Sequence, residues 1–476
     1  VYISYWCYIN TFPACIHFLH VHRRFYDVRF FDITMATKED GGDMKHTKKK
    51  ILAIAVTAAL CAPMAAMATN GYFAHGYGTK NKGLAGGGVA LPQDSMIAAT
   101  NPAGMVFVGN RLDVGAAIFS PNPRSYTVEG NPSGFPGTFG LAPGKVKSED
   151  GVFLIPHFGR NWMLDANSSI GVTVYGNGGM NTEYKSSPAP GGTFYGGTTG
   201  VNLEQLFIAT TYARKINDTA SWGVTPILVY QKFKAEGLAN FAPFSLDPAN
   251  LTNNGNDTST GYGLKFGAQG EVSPGVTIAG SYQTKMSMSE FDDYAGLFAE
   301  DGDFDIPATA TVGVAWATSP GTVLTVDIQK IYYGAIDSIA NPISNLTTGC
   351  GGGDMTQCLG GSNGAGFGWE DMTIVKLGYQ WAGSDGWTWR AGISKGDQPI
   401  PDSETMFNIL APAVMETHVT FGFTKEVGPD NEFNFAAMYA PNVSVTGANP
   451  MEVPGLQTIE IEMSQWELEG SWAVKF

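Results

Sequence analysis

The chain has 476 residues, with 43 acidic against 28 basic side chains and a formal net charge of −15, and it carries no basic stripe that would track nucleic acid. Mean hydropathy is −0.05, and beyond residue 68 no apolar run reaches the ~20 residues of a spanning helix, which excludes a helical inner-membrane protein. Two classes survive: a secreted all-β protein, and an outer-membrane barrel whose apolar residues are diluted one in two.

Residues Met44–Ala68 have a basic front, an apolar middle and a small-x-small ending at Ala66-Met67-Ala68. That layout predicts a secretory signal peptide cut after Ala68. A spanning helix is the rival reading, but Pro63 interrupts it and the apolar stretch is short. A basic front belongs at the start of a chain, so Met44 is the expected first residue and Val1–Asp43 an untranslated leader.

Asn70–Arg111 follows, rich in Gly and Ala, poor in charge and without strand alternation. Its one helical piece is expected to have Pro92 in its first turn, Asp94 and Ser95 at its N-terminus and Met96–Ala99 as its body. Asn101-Pro102 ends it, because a residue before proline is pushed out of the helical region. A compact small-residue segment ahead of a run of strands reads as a plug.

From Leu112 onward about fourteen segments alternate apolar and polar residues. Their approximate spans are 112–120, 151–160, 168–176, 201–215, 219–233, 261–272 and 275–287, then 306–317, 321–331, 371–382, 386–395, 416–427, 431–440 and 459–476. Six connections are short, such as Ser273-Pro274 and Gly428-Pro429-Asp430, and seven are long and rich in Gly, Pro, Asn and Asp. The two kinds alternate strictly. A soluble sandwich has no reason for that, whereas a barrel with tight periplasmic turns and long outer loops does. An even strand count also allows closure, which removes edges that lipid cannot satisfy. In the last segment Trp466, Leu468, Trp472, Val474 and Phe476 share a face, with Gln465, Glu467, Glu469, Ser471 and Lys475 on the other. The first face suits lipid and the second a lumen. The fold class is therefore an all-β transmembrane antiparallel barrel of about fourteen strands, with residues 69–111 as an N-terminal hatch and 112–476 as the barrel.

Two cysteines remain beyond the signal, Cys350 and Cys358, in a Gly-rich loop of an exported chain. An oxidising compartment favours a disulfide; zinc is the alternative, but no His or second Cys pair accompanies them.

The run NGYFAHGYGTK from Asn70, the run GLAGGGVALPQD from Gly83, NPAGM from Asn101 and VNLEQLFIA from Val201 together resemble the FadL/OmpP1/TodX family of outer-membrane transport proteins. The likeness spans Asn70–Phe476. It implies passive uptake of hydrophobic molecules, long-chain fatty acids first and aromatic hydrocarbons second, by an outer-membrane protein with no cofactor and no catalytic or metal-binding residues. Capture in an outer apolar groove would be followed by transfer to a deeper pocket. The hatch end, Thr69, Asn70, Gly71, Tyr72 and Phe73, would lie beside that pocket. A kink in an early strand would open the wall sideways, facing Asn101, Pro102 and Ala103. Expected partners are the hydrophobic ligand, membrane lipid and lipopolysaccharide, with the chain a monomer. A general porin and an adhesin are the other readings; an enzyme would need a Ser/His pair, and neither His75 nor His418 has one at recognisable spacing.

Capture needs apolar walls. Phe241, Phe244 and Leu246 in one loop and Phe291, Tyr294, Leu297 and Phe298 in another are candidates, the second set on a short amphipathic helix. Ordinary loop packing is the alternative. A fatty-acid carboxylate would want a cation, and Lys376, Arg390 and Lys330 are the candidates; lumenal ion pairs are the competing use. The acidic run Glu300–Asp305 lacks the distal Glu of a calcium loop, and Gly86–Gly88 follows no strand, so no nucleotide fingerprint is present.

Overall fold

A computed structural model describes residues 69–476 apart from 150 and 186–188. The leader and the signal peptide expected above lie outside the described residues.

Seventeen β segments form one antiparallel sheet of fourteen strands, three of them interrupted. They are β1 (Arg111–Ser120, resumed at Arg124–Glu129), β2 (Gly144–Lys147, resumed at Phe153–Met163), β3 (Ser168–Asn181), β4 (Gly200–Lys215) and β5 (Ser221–Glu236). Next come β6 (Asp257–Ser273), β7 (Val276–Gln283, resumed at Ser287–Met288), β8 (Thr309–Ser319), β9 (Thr322–Ile331) and β10 (Met372–Ala382). The last four are β11 (Trp387–Gly396), β12 (Thr417–Val427), β13 (Asn431–Ala448) and β14 (Thr458–Lys475). Strand β14 pairs with both pieces of β1, from Lys475 against Arg111 to Thr458 against Glu129. The sheet thus closes into a barrel, since its first and last strands pair with each other. Long and short connections alternate as expected from the sequence.

Period-two alternation sets the two faces. On β10, Val375 and Leu377 are 48% and 44% exposed on the outer face, while Lys376 between them is 4% exposed. On β14, Trp466, Leu468 and Trp472 face out, and Glu467 and Glu469 are buried inside. Trp387 and Trp389 stack at 5.1 Å beside Phe421 and Phe423 near the short-turn end, where an aromatic belt meets the membrane surface.

Residues 69–110, the segment expected to be a hatch, pack against inward-facing side chains of the wall. They hold two four-residue α-helices, Thr79–Lys82 and Ile97–Thr100, and a 3-10 helix, Pro102–Phe107. The helix expected near Met96 forms, but Pro92 precedes it instead of opening it. Asn101, extended at φ −144°, ends that helix and caps the next, its side chain accepting from the Ala103 N–H at 3.1 Å. Small residues allow the close fit: a Cβ on Gly267 of β6 would stand 2.1 Å from Asn101 Oδ1.

Candidate functional site

The long loops after β5, β7, β9 and β11 meet over the barrel mouth and border an apolar groove. Phe233, Phe241, Leu297, Phe298, Phe407 and Leu410 supply most of its wall, and among the described residues no charged side chain lines it. Of the sequence candidates, Phe241, Leu297 and Phe298 reach the groove. Phe291 and Tyr294 lie behind it, packed on Phe233 at 5.6 and 4.9 Å, and Phe244 packs against the apolar core beside it. The amphipathic helix expected at 291–298 is a single 3-10 turn, Asp292–Tyr294. That turn still gathers Phe291, Tyr294 and Phe298 around Phe233. Cys350 and Cys358 form a disulfide, S–S 1.97 Å. The next residue, Leu359, is then held in the groove wall by backbone hydrogen bonds to Phe244 and Leu246, both 2.9 Å.

Aromatic rings continue from the groove toward the hatch. Phe298 touches Phe304 at 4.7 Å, Phe304 lies 6.2 Å from Tyr72, and Tyr72 sits against Tyr333 and Trp369. Trp369 is fixed by its indole N–H donating to Asn408 Oδ1 at 2.6 Å. The hatch tip, Thr69–Phe73, is fully buried at the foot of this column. The Tyr333 hydroxyl holds it twice, donating to the Asn70 carbonyl at 2.6 Å and accepting from the Tyr72 N–H at 3.1 Å.

The barrel wall is broken beside that tip. Pairing between β2 and β3 runs from Met163–Ser169 only to His157–Tyr175. Above it Pro156 has no N–H, and the ladder between β3 and β4 slips between Gly176 and Gly178. The hatch takes up the unpaired backbone: the Ala74 N–H donates to Asn177 O and the Gly179 N–H to Tyr72 O, both 2.9 Å. Gly178 is needed for this approach, because a Cβ there would lie 1.7 Å from the Tyr72 carbonyl oxygen. Ile155, Pro156, Tyr175, Gly176 and Tyr77 border a small cavity at the break. Asn101, Pro102 and Ala103 are elsewhere, against Gly223 of β5 and Gly267 of β6, where the Ser221 hydroxyl donates to Ala103 O at 2.7 Å. The segment beside the break in the ladder is Tyr72–Ala74. Both segments are small-residue turns, and nothing in their composition tells which wall each meets.

The three cations proposed as carboxylate anchors have other partners. Lys376 Nζ donates to the carbonyls of His75 and Gly86 at 3.1 and 3.3 Å, and Arg390 to Gln93 Oε1 and Thr424 Oγ1 at 2.7 and 2.8 Å. Lys330 pairs with Asp371 at 3.0 Å. None lines the groove. His418 faces inward with Ser394 Oγ at 3.2 Å from its Nδ1, but the pair is sealed in the wall, His75 stacks on the imidazole, and Nε2 has no partner to orient it. Phe233, Phe367 and Phe407 were not singled out from the sequence. An inward position on an expected strand marks Phe233, and the apolar run Ile409–Met415 close after Phe407 was the available signal for that loop.

The family model described as outer membrane protein transport protein (OMPP1/FadL/TodX) matches residues 55–449. Comparison with curated proteins finds no match. Among solved structures, the Pseudomonas putida toluene transporter TodX superposes with TM-score 0.61 at 18% identity, covering 86% of this chain and 100% of that one. A Pseudomonas aeruginosa FadL homologue gives 0.61 at 15% identity, covering 85% and 100%. The Ralstonia pickettii toluene transporter TbuX gives 0.56 at 14% identity, covering 84% and 99%.

Proposed function

We propose, from the premise that this chain belongs to the OMPP1/FadL/TodX family and is an outer-membrane channel for hydrophobic molecules, that its preferred substrates are neutral hydrocarbons of aromatic size. The observation that carries this reading is the groove wall, which is built of Phe and Leu and includes no cation. A carboxylate brought there would lose its water with nothing to pair it, which is strongly unfavourable. A neutral ring loses nothing polar and gains about 25 cal/mol for each Å² of apolar surface taken from water. Toluene transport by the structurally similar TodX and TbuX supports the same choice.

Transport on this reading needs no covalent chemistry. The ligand enters the groove from outside and passes down the aromatic column by exchanging one ring contact for another, each worth about 0.5–1.5 kcal/mol beyond area burial. It then displaces the hatch tip from Tyr333. The break beside Gly176–Gly179 gives it a sideways exit into lipid, so it never crosses the polar interior beneath.

Uptake of labelled toluene and oleate by cells lacking their own transporter and expressing this chain tests the reading. Toluene uptake without oleate is expected. Oleate taken up in preference would overturn it and return attention to the basic residues. Lys376→Ala and Arg390→Ala are expected to alter toluene uptake without creating oleate uptake, since both side chains hold the hatch.

A further inference from the structure

Beneath the hatch tip lies a second, polar cavity, between the hatch and the inner faces of β6 to β10. It has room for a particle the size of a water molecule, and Lys265, Lys376, Gln283, Gln329 and His75 all line it. Each of these but Gln329 is at least nine-tenths buried. Lys265 donates to the Ala99 carbonyl and Lys376 to those of His75 and Gly86, yet neither forms an ion pair among the described residues. The carboxylate opposite Lys376 in the ladder is Asp327, whose Oδ2 accepts from the Gly88 and Val89 N–H groups at 2.7 and 2.8 Å. Lys376 therefore has one carboxylate across the ladder, whereas Lys265 faces none among the described residues.

Unused hydrogen-bonding capacity points into the same space. Among the described residues Gln283 Nε2 has no partner, and neither has Gln329 Oε1. A buried donor without an acceptor and a buried cation without a counter-charge are each costly, and one small anion answers both. A lining of lysine, glutamine and histidine side chains suits an anion better than a fatty-acid tail or an aromatic ring. We propose that this chamber binds a monovalent anion of halide size, chloride in the cell, held by Lys265, Lys376 and Gln283. The anion would join the wall to the hatch body from within. It lies off the apolar route proposed above and does not depend on which hydrophobic compound the channel carries.

Crystals of the full barrel grown in sodium bromide test this by anomalous scattering. A bromide peak within hydrogen-bond reach of Lys265 and Gln283 is expected. The unfolding midpoint in detergent should be higher in sodium chloride than in sodium gluconate at equal ionic strength. Lys265→Met should remove both the peak and the anion dependence. If that variant does not fold, Gln283→Leu, which leaves both lysines in place, should weaken both signals. Absence of bromide from the chamber, or equal midpoints in the two salts, would mean that water alone fills the space and would overturn the proposal.

Discussion

The hatch is one continuous segment, but its two halves are held by opposite kinds of interaction. Its body is bound to the wall by buried charge: Lys80 pairs with Glu432 at 2.6 Å, and Lys82 with both Glu467 and Glu469 at 2.7 Å. Arg111, at the junction with β1, adds Asp113 and Glu432. Its tip makes no ion pair among the described residues. Two hydrogen bonds to Tyr333, a short backbone ladder to β3 and aromatic packing hold it. A hydrocarbon can replace the packing of a ring but cannot replace a carboxylate. The difference teaches that an apolar ligand has the means to move the tip and none to move the body.

Removing charge from the body gives the largest expected effect. Lys82→Met leaves two buried carboxylates sharing no cation, and breaking a buried pair in this way costs about 3–5 kcal/mol. A clearly lower unfolding midpoint on heat-modified gels is the expected result. Neutralising the partners as well, with Glu467→Gln and Glu469→Gln, should recover part of it. An unchanged midpoint for Lys82→Met would show that the body is not held by these pairs.

The tip should respond more mildly and without loss of the barrel. Gly178→Val places a side chain where the Tyr72 carbonyl stands, so the tip must leave the β3 break. A cysteine at Phe73 should then react faster with a soluble thiol reagent, at a nearly unchanged unfolding midpoint. Tyr333→Phe is milder again. It removes two hydrogen bonds of about 1 kcal/mol each, raising the open population by roughly ten- to thirtyfold, and toluene uptake should quicken. Slower uptake with the tip labelled no faster would mean that Tyr333 serves the pocket and not the latch.

Much of this was legible in the chain, and the rest was hidden for physical reasons. Lumen and lipid alternate across every strand, so period two alone placed Lys376, Arg390 and His418 inward. What those side chains bind was not legible, because the partners lie on a hatch roughly three hundred residues earlier. The second piece of β1 and the first piece of β2 were missed. Pro121 and Pro123 interrupt the first strand and a Gly-rich loop precedes the second, so both read as connection, not as strand. Phe241, Leu297 and Phe298 stood out as apolar residues in polar loops, whereas Phe407 joins the groove only because its loop folds over the other three.

The loop Ser289–Asp305, which carries Phe298 into the groove wall, sharpens the comparison in a third way and gives the smallest expected effect. Burial, then the neighbouring Asp305 charge and a hydrogen bond to it, push the Asp303 carboxyl up to about 7, while Lys285 acts against them. Lys285 itself pairs with Asp305, and Glu300 adds a further like charge. A carboxyl whose folded pKa is raised contributes stability that is complete below the ordinary carboxylate range and lost as pH rises through 7. The loop is therefore expected to be tighter at pH 6 than at pH 8. Hydrogen exchange across Phe291–Phe304, corrected for intrinsic rates, should show protection falling over that interval. Asp303→Asn, which keeps the shape without the charge, should hold the pH 6 protection at pH 8. Equal protection of the unmodified loop at both pH values would remove Asp303 from any control of the groove. The tip and the body should show no matching change, because neither touches this carboxyl.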